Sequence, residues 1–218
     1  MSSADPLPMP EVVTEAIAVI DLVESTLTAN LFGWYAVGRQ SLRDLRRLIS
    51  EVGDGRGLRC LKSTGDGYLL AFHDPKSAEM SAVRAIEAMF ELLFHVSRRN
   101  NELPEERALN LRCAVHLGEV DVVANDREGP HVSLAFRLQD ISRASLPNAL
   151  NPIAPEQFPL RDYVLCSEEV AGILTRRDKR WKTLSIGLLK LKGFPGWREI
   201  FQVVPGPDAA KGEAPQAA

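Results

Sequence analysis

The sequence predicts an α+β domain, a ferredoxin-like α/β plait in which a mixed, mostly antiparallel sheet carries helices on one face. Three observations lead there. The chain of 218 residues is long enough for one sizeable core and little more. Short β-branched apolar runs alternate with amphipathic stretches in the order β-α-α-β-β-α-β-α, then β-α-β-β. No repeat of fixed period and no clean domain boundary interrupts that order, so residues 14–205 read as one domain between Pro/Ala/Gly-rich ends, 1–13 and 206–218, expected to be disordered.

"AIAVIDL" is a β-branched apolar run, a buried central strand ending at Asp21. Ser25 or Thr26 then offers an N-cap for a helix through Leu31. In "SLRDLRRLISEV", Leu42, Leu45, Leu48, Ile49 and Val52 recur at helical spacing, with the arginines as a solvated face. Two strands flank the Gly-Asp-Gly turn at Asp66. Asp74 and Pro75 open a long helix whose stripe is Ala82, Ile86, Met89, Phe90, Leu93 and Val96. "LNLRCAVHLGEVDVV" is a strand or hairpin, and "HVSLAFRLQDIS" an amphipathic helix. The proline-punctuated 145–160 segment is expected to be a long surface loop. "DYVLCS" is a strand, "EEVAGILTRR" a helix capped by Ser167, and the chain closes on a hairpin of "LSIGLLKLKG" and "WREIFQVV".

The net charge of -3 argues against a nucleic-acid groove, although a metal ion can bring a triphosphate to carboxylates. Cys60, Cys113 and Cys166 are isolated in apolar runs and read as buried hydrophobes. The start has no basic stretch followed by an apolar core, and no apolar run reaches the ~18–20 residues of a membrane span. A cytoplasmic protein without a membrane partner is the expectation.

Asp21 ends the first strand, and Asp66 would sit beside it if that strand is central. Two carboxylates on adjacent strands form a hard oxygen site for Mg²⁺ or Mn²⁺. The backbone N–H groups of residues 22–26, entering a helix, would face a phosphate there. An Asp-Gly hairpin turn and an Asp at a strand end are also common without function, so spacing alone leaves both readings open.

The series "AVIDLVEST", "LKSTGDGYLLAF", "LRCAVHLGEV" and "GPHVSLAFRL" resembles the signatures of class III nucleotidyl cyclase catalytic domains, in the same order, from Ala16 to about Leu138. Leu22 replaces an isoleucine of the first signature and Ala114 a glycine of the third. "LKLKGFPGWREIFQVV" resembles the closing hairpin of that family. The resemblance implies the class III cyclase fold and a head-to-tail homodimer with two composite sites.

In each site, one subunit would supply Asp21, Asp66 and Leu22 to two Mg²⁺ or Mn²⁺ ions, with Val23, Glu24, Ser25 and Thr26 cradling phosphates. The other would supply Arg137 as the transition-state cation and Ser133 where the family has an asparagine orienting the ribose. Lys192 would reach the triphosphate, with Arg198 a second candidate. Lys62 matches the lysine that contacts the base, Asp126 lies near its usual partner, and Tyr68 is a candidate to stack on the base. His116 is read as structural, and Glu119 receives no role.

The "GDGYLLAF" form of the second signature, Ser133, the proline-rich insert and the lack of a preceding sensor segment resemble the stand-alone pyrimidine cyclases of bacterial Pycsar anti-phage systems. That implies UTP as substrate and cyclic UMP as product. The alternatives are an adenylate, guanylate or cytidylate cyclase, and a degenerate cyclase-like nucleotide-binding module.

Overall fold

The computed structural model describes residues 10–23 and 38–208. Their strands form one sheet in the order β2-β3-β1-β4-β6-β8-β7, with β5 paired to β4. The strands are β1 (Glu11–Leu22), β2 (Leu58–Ser63), β3 (Gly67–Phe72), β4 (Leu111–Val123), β5 (Asp126–Glu128), β6 (Tyr163–Ser167), β7 (Trp181–Leu189) and β8 (Arg198–Pro205). Only the β4–β6 pairing is parallel, so the sheet is mixed and mostly antiparallel as expected. The central strand begins at Glu11, inside the segment expected to be disordered, because Glu11 to Val13 pair with Val122 to Val120. At the other end, the Gly206 N–H donates to the Arg180 carbonyl, so the ordered chain runs past 205. The helix expected to start at Ser25 or Thr26 lies outside the described residues.

Among the described residues four α-helices pack on the sheet: α1 (Arg39–Gly53), α2 (Ala78–Asn101), α3 (Pro130–Gln139) and α4 (Glu168–Arg177). Side chains alternate across a strand, so β1 sends Ala16, Ala18, Ile20 and Leu22 to one face and Ile17, Val19 and Asp21 to the other. The first face is closed by Leu45, Ile49 and Val52 of α1, Ile86, Met89 and Leu92 of α2, and Ile173 and Leu174 of α4. The α2 helix begins at Ala78 rather than at Asp74; Ser77 caps it by accepting from the Met80 N–H at 3.3 Å, while Asp74 holds the preceding turn.

Helices were expected on one face only. Instead α3 crosses the opposite face, where Val132 and Ala135 meet Ile17, Val19 and Val120, and Leu134 and Leu138 meet Leu165 and Ile200. Helical periodicity identifies an apolar stripe but not which side of the sheet receives it. The insert is also more than a surface loop. Leu146 and Phe158 are each 1% exposed in the same apolar cluster, and Leu150 exchanges backbone hydrogen bonds with Leu188 of β7 at 2.8 and 2.9 Å.

A buried polar chain seats α3. The His116 Nε2 is 2.8 Å from His131 Nδ1 at the start of α3, and its Nδ1 is 2.8 Å from the Ser167 hydroxyl. Ser167 occupies the N-cap position of α4 as expected, but its hydroxyl serves His116 rather than an α4 N–H. Gly118 makes room for this, since a Cβ there would lie 2.2 Å from the His131 ring. Burial pushes the His116 pKa from 6.5 down to about 4; His131 and Arg198 act in the same direction and Glu169 against it.

Two predictions follow from the packing. Tyr68→Phe removes a hydroxyl that donates to the Leu42 carbonyl at 2.8 Å, and should cost about 1 kcal/mol in denaturant unfolding. Between pH 6.5 and 4 the unfolded chain protonates His116 and the folded chain resists, so stability should fall as pH drops through that window. His116→Gln should flatten this dependence in thermal melts; an unchanged slope would refute the buried neutral imidazole.

Candidate active site

The carboxylate centre is built by strand register. Asp21 stands opposite Gly67 of β3 on one side and Arg112 of β4 on the other. The β2–β3 turn is closed by the Thr64 N–H donating to the Gly67 carbonyl at 3.0 Å, and tied to β1 by the Leu22 N–H donating to the Asp66 carbonyl at 3.3 Å. Gly65 adopts φ +110°, which glycine accommodates, and a Cβ at Gly67 would lie 2.0 Å from the Ile20 carbonyl oxygen. Any larger residue at 67 would push the turn, and Asp66 with it, away from β1.

The Asp21 carboxyl is pushed above the usual carboxylate range, first by burial and further by the Asp66 carboxyl beside it; the Arg112 guanidinium, ion-paired to Asp21, opposes both. Two crowded carboxylates and one cation offsetting them suit a divalent ion, whose charge would relieve the same repulsion. Among the described residues no group of three or more His, Cys, Asp or Glu could hold a metal, so other ligands would be backbone, water or substrate oxygens. Leu22, with its side chain 8% exposed in the core, could join only through its carbonyl.

The expected phosphate cradle, residues 22–26, is altered at its first two members, since the Leu22 N–H is already given to the Asp66 carbonyl. The Val23 N–H donates to the Asn110 carbonyl at 2.8 Å, which commits it to the fold. Glu24, Ser25 and Thr26 lie outside the described residues.

Lys62 of β2 and Asp126 of β5 form an ion pair, although 63 residues separate them in the chain. Burial works against ionisation of Asp126, but the Lys62 ammonium and the Arg127 N–H outweigh it and hold the carboxyl below its usual range. Beneath them Arg127 is locked by Glu15, both buried, with Nη2 to Oε1 at 3.1 Å. This second ion pair fixes the β5 backbone that carries Asp126.

Tyr68 does not join them. Lys62 pairs with Leu69 in the ladder and shares its face, whereas Tyr68 points to the face covered by α1 and α2, 4% exposed and bonded to Leu42. Strand parity corrects the expectation that it stacks on a base.

On α3, Ser133 is exposed and its hydroxyl makes only a long 3.4 Å contact to the Gly129 carbonyl. Arg137 is paired with Asp140 at 3.1 Å and faces an open cleft of about 540 Å³. Lys192, in the turn between β7 and β8, lines the same cleft. Two of the cationic side chains expected to meet phosphate thus line one cleft of a single chain. Arg198 lies elsewhere, over the Phe194 ring at 5.6 Å.

Sequence reasoning passed over Arg112 and the Glu15–Arg127 pair. Arg112 was visible as a charge alternating with His116 through an apolar strand, but its partner became evident only with the β1–β4 register. Nothing local marked Glu15, which lies 112 residues from Arg127.

No protein-family model matches the chain. Over 84 residues, 38% of the chain, it is 37% identical to a Rhizobium meliloti (strain 1021) protein named "Putative adenylate cyclase 3", and the match spans 13% of that protein's length. Among solved structures it resembles an adenylate/guanylate cyclase/hydrolase from Silicibacter pomeroyi, with TM-score 0.66 and 23% identity over 89% of this chain and 98% of that one. The adenylyl cyclase CyaB from P. aeruginosa gives TM-score 0.67 and 19% identity over 90% and 97%. The guanylate cyclase domain of RhGC from Catenaria anguillulae, solved with GTP, gives 0.65 and 14% over 88% and 97%. The fold of this chain is that of adenylate and guanylate cyclase domains.

Proposed function

We propose that the protein is a nucleotidyl cyclase that converts a nucleoside triphosphate, UTP by preference, to its 3′,5′-cyclic monophosphate and pyrophosphate. The observation that carries this reading is the division of charged groups within one chain. Asp21, Asp66 and Arg112 meet at one end of the sheet, and Arg137 and Lys192 line a separate cleft that none of those three borders. A head-to-tail pair of chains would bring the cleft of one against the carboxylates of the other, completing two sites.

In the proposed reaction the ribose 3′-oxygen attacks the α-phosphorus. The bond from that phosphorus to the bridging oxygen of pyrophosphate breaks, and the 3′-hydroxyl proton passes to solvent. Divalent ions at Asp21 and Asp66, when bound, make the 3′-hydroxyl easier to deprotonate and offset charge on the leaving group. Arg137 would exchange Asp140 for the α-phosphoryl oxygens, where charge builds. Ser133, loosely engaged by Gly129, would turn its hydroxyl to the ribose directly or through a water. Lys192 would hold the outer phosphates.

Lys62 can donate to uracil O4, and Asp126 can accept from its N3–H. Those partners, with the Pycsar-like sequence features, favour cyclic UMP as an anti-phage second messenger. The same pair suits adenine N1 and its amino group, and the Rhizobium protein's name points the same way, so ATP is the second reading.

Purified protein given ATP, GTP, CTP and UTP separately with Mn²⁺ should release pyrophosphate and cyclic product fastest from UTP. Turnover of ATP alone would establish the second reading, and none with any of the four would leave a nucleotide-binding module. Asp66→Ala should abolish activity, and Arg137→Ala should lower kcat roughly 10²- to 10³-fold. Mixing the two variants should restore part of it; no recovery would refute composite sites.

A further inference from the structure

The insert shares no residue with the four motif stretches, and the proposed reaction leaves it without a task. It is nevertheless built into the domain with some care. The β7 strand carries a register shift between Ser185 and Gly187, and Gly187 adopts φ +121°. A Cβ at Gly187 would lie 3.0 Å from the Leu150 carbonyl oxygen and from Pro152 Cα, so glycine leaves the space into which the insert docks. The Ile153 N–H donates to the Ile186 carbonyl at 3.3 Å, and Arg143 Nη2 donates to the Phe158 carbonyl at 2.9 Å. Leu146 and Phe158 pin the segment into the apolar cluster beneath.

Held this way, the insert forms one wall of the Arg137 cleft and presents Ser145 and Asn148 to it. The Ser145 oxygen accepts from the Ser142 N–H at 3.2 Å, leaving its O–H able to donate outward. The Asn148 side chain is exposed at the cleft and adds an amide donor. From the turn after β7 come Lys190 and Lys192, with the Lys190 ammonium 4.9 Å from the Trp197 ring centroid. Three cations face one carboxylate, Asp140, which is already paired with Arg137. Cations with neutral donors on two sides suit a ligand with several anionic oxygens spread over more than one phosphate.

We propose that the insert is a substrate-binding element, in which Ser145 and Asn148, with Lys190, bind the pyrophosphate end of the triphosphate beside Arg137 and Lys192. The inference rests on the cyclase reading and extends it to a segment outside the motifs. It makes the insert part of the grip on the leaving group.

Isothermal titration of the full chain with inorganic pyrophosphate tests it. Wild type should bind pyrophosphate more tightly than inorganic phosphate. Ser145→Ala and Asn148→Ala should each weaken pyrophosphate roughly ten- to hundredfold, as expected for one lost hydrogen bond to a charged group. Gly187→Val, which displaces the insert without altering a cleft side chain, should weaken it as well. Arg176→Ala, on the remote helix α4, should not. Melting temperatures show whether each variant is folded, and the two alanine substitutions, at half-buried Ser145 and exposed Asn148, keep the test valid if Gly187→Val is not.

Pyrophosphate binding indifferent to Ser145 and Asn148, or no tighter than phosphate, overturns the inference. If nucleotides are cyclised while binding is indifferent, this inference falls and the cyclase reading stands. If pyrophosphate binding depends on Asn148 while no nucleotide is cyclised, the cleft stands and the cyclase reading falls.

Discussion

The register of β1 between β3 and β4 decides what the open face of the sheet can do. Asp21 is opposite Gly67 and Arg112 at once, so a carboxylate, a tight turn and a guanidinium converge without any loop having to reach. A slip of one residue would turn Asp21 into the apolar layer beneath α1 and α2 and bring Ile20 or Leu22 to the open face. The apolar alternation of β1 therefore fixes the carboxylate centre as well as the core. Burying Ala16, Ala18 and Ile20 on one side is what holds Asp21 on the other.

Charge on that face is balanced locally. Asp21 and Asp66 crowd each other, and Arg112 is the cation that makes their closeness tolerable. Across β2 and β5, Lys62 and Asp126 rest on Glu15 and Arg127, an ion pair withdrawn almost wholly from solvent. A buried pair of this kind contributes little net stability, because desolvation offsets most of the attraction. Its use here is positional: breaking it would leave a charge stranded under β5 and release the strand that presents Asp126.

The α3 helix and the insert give the opposite half of the same face a different character. The chain from Ser167 through His116 to His131 sets where α3 begins, and so where Arg137 and Ser133 point. The insert then closes around the C-terminal end of α3 by pairing with β7. One chain thereby carries a carboxylate patch and a cationic cleft as separate surfaces. In the proposed dimer that separation would be useful, because the carboxylates of one chain would meet the cationic cleft of the other.

Much was determined by sequence alone: the α+β class, the central strand, the Gly-Asp-Gly turn, the amphipathic helices and the terminal hairpin are local patterns of period and turn chemistry. Asp21, Asp66 and Arg137 could be named as candidates because they fall in short, contiguous stretches that resemble signatures of a known family. The tertiary structure alone decided what depends on pairing. It sent Tyr68 to the core by parity, joined Lys62 to Asp126, committed the Val23 N–H to Asn110, placed α3 on the opposite face and drew the insert into the fold. The physical reason is the same in each case. Periodicity states that a residue has a side, while only the register of a neighbouring strand, often a hundred residues away, states what that side faces.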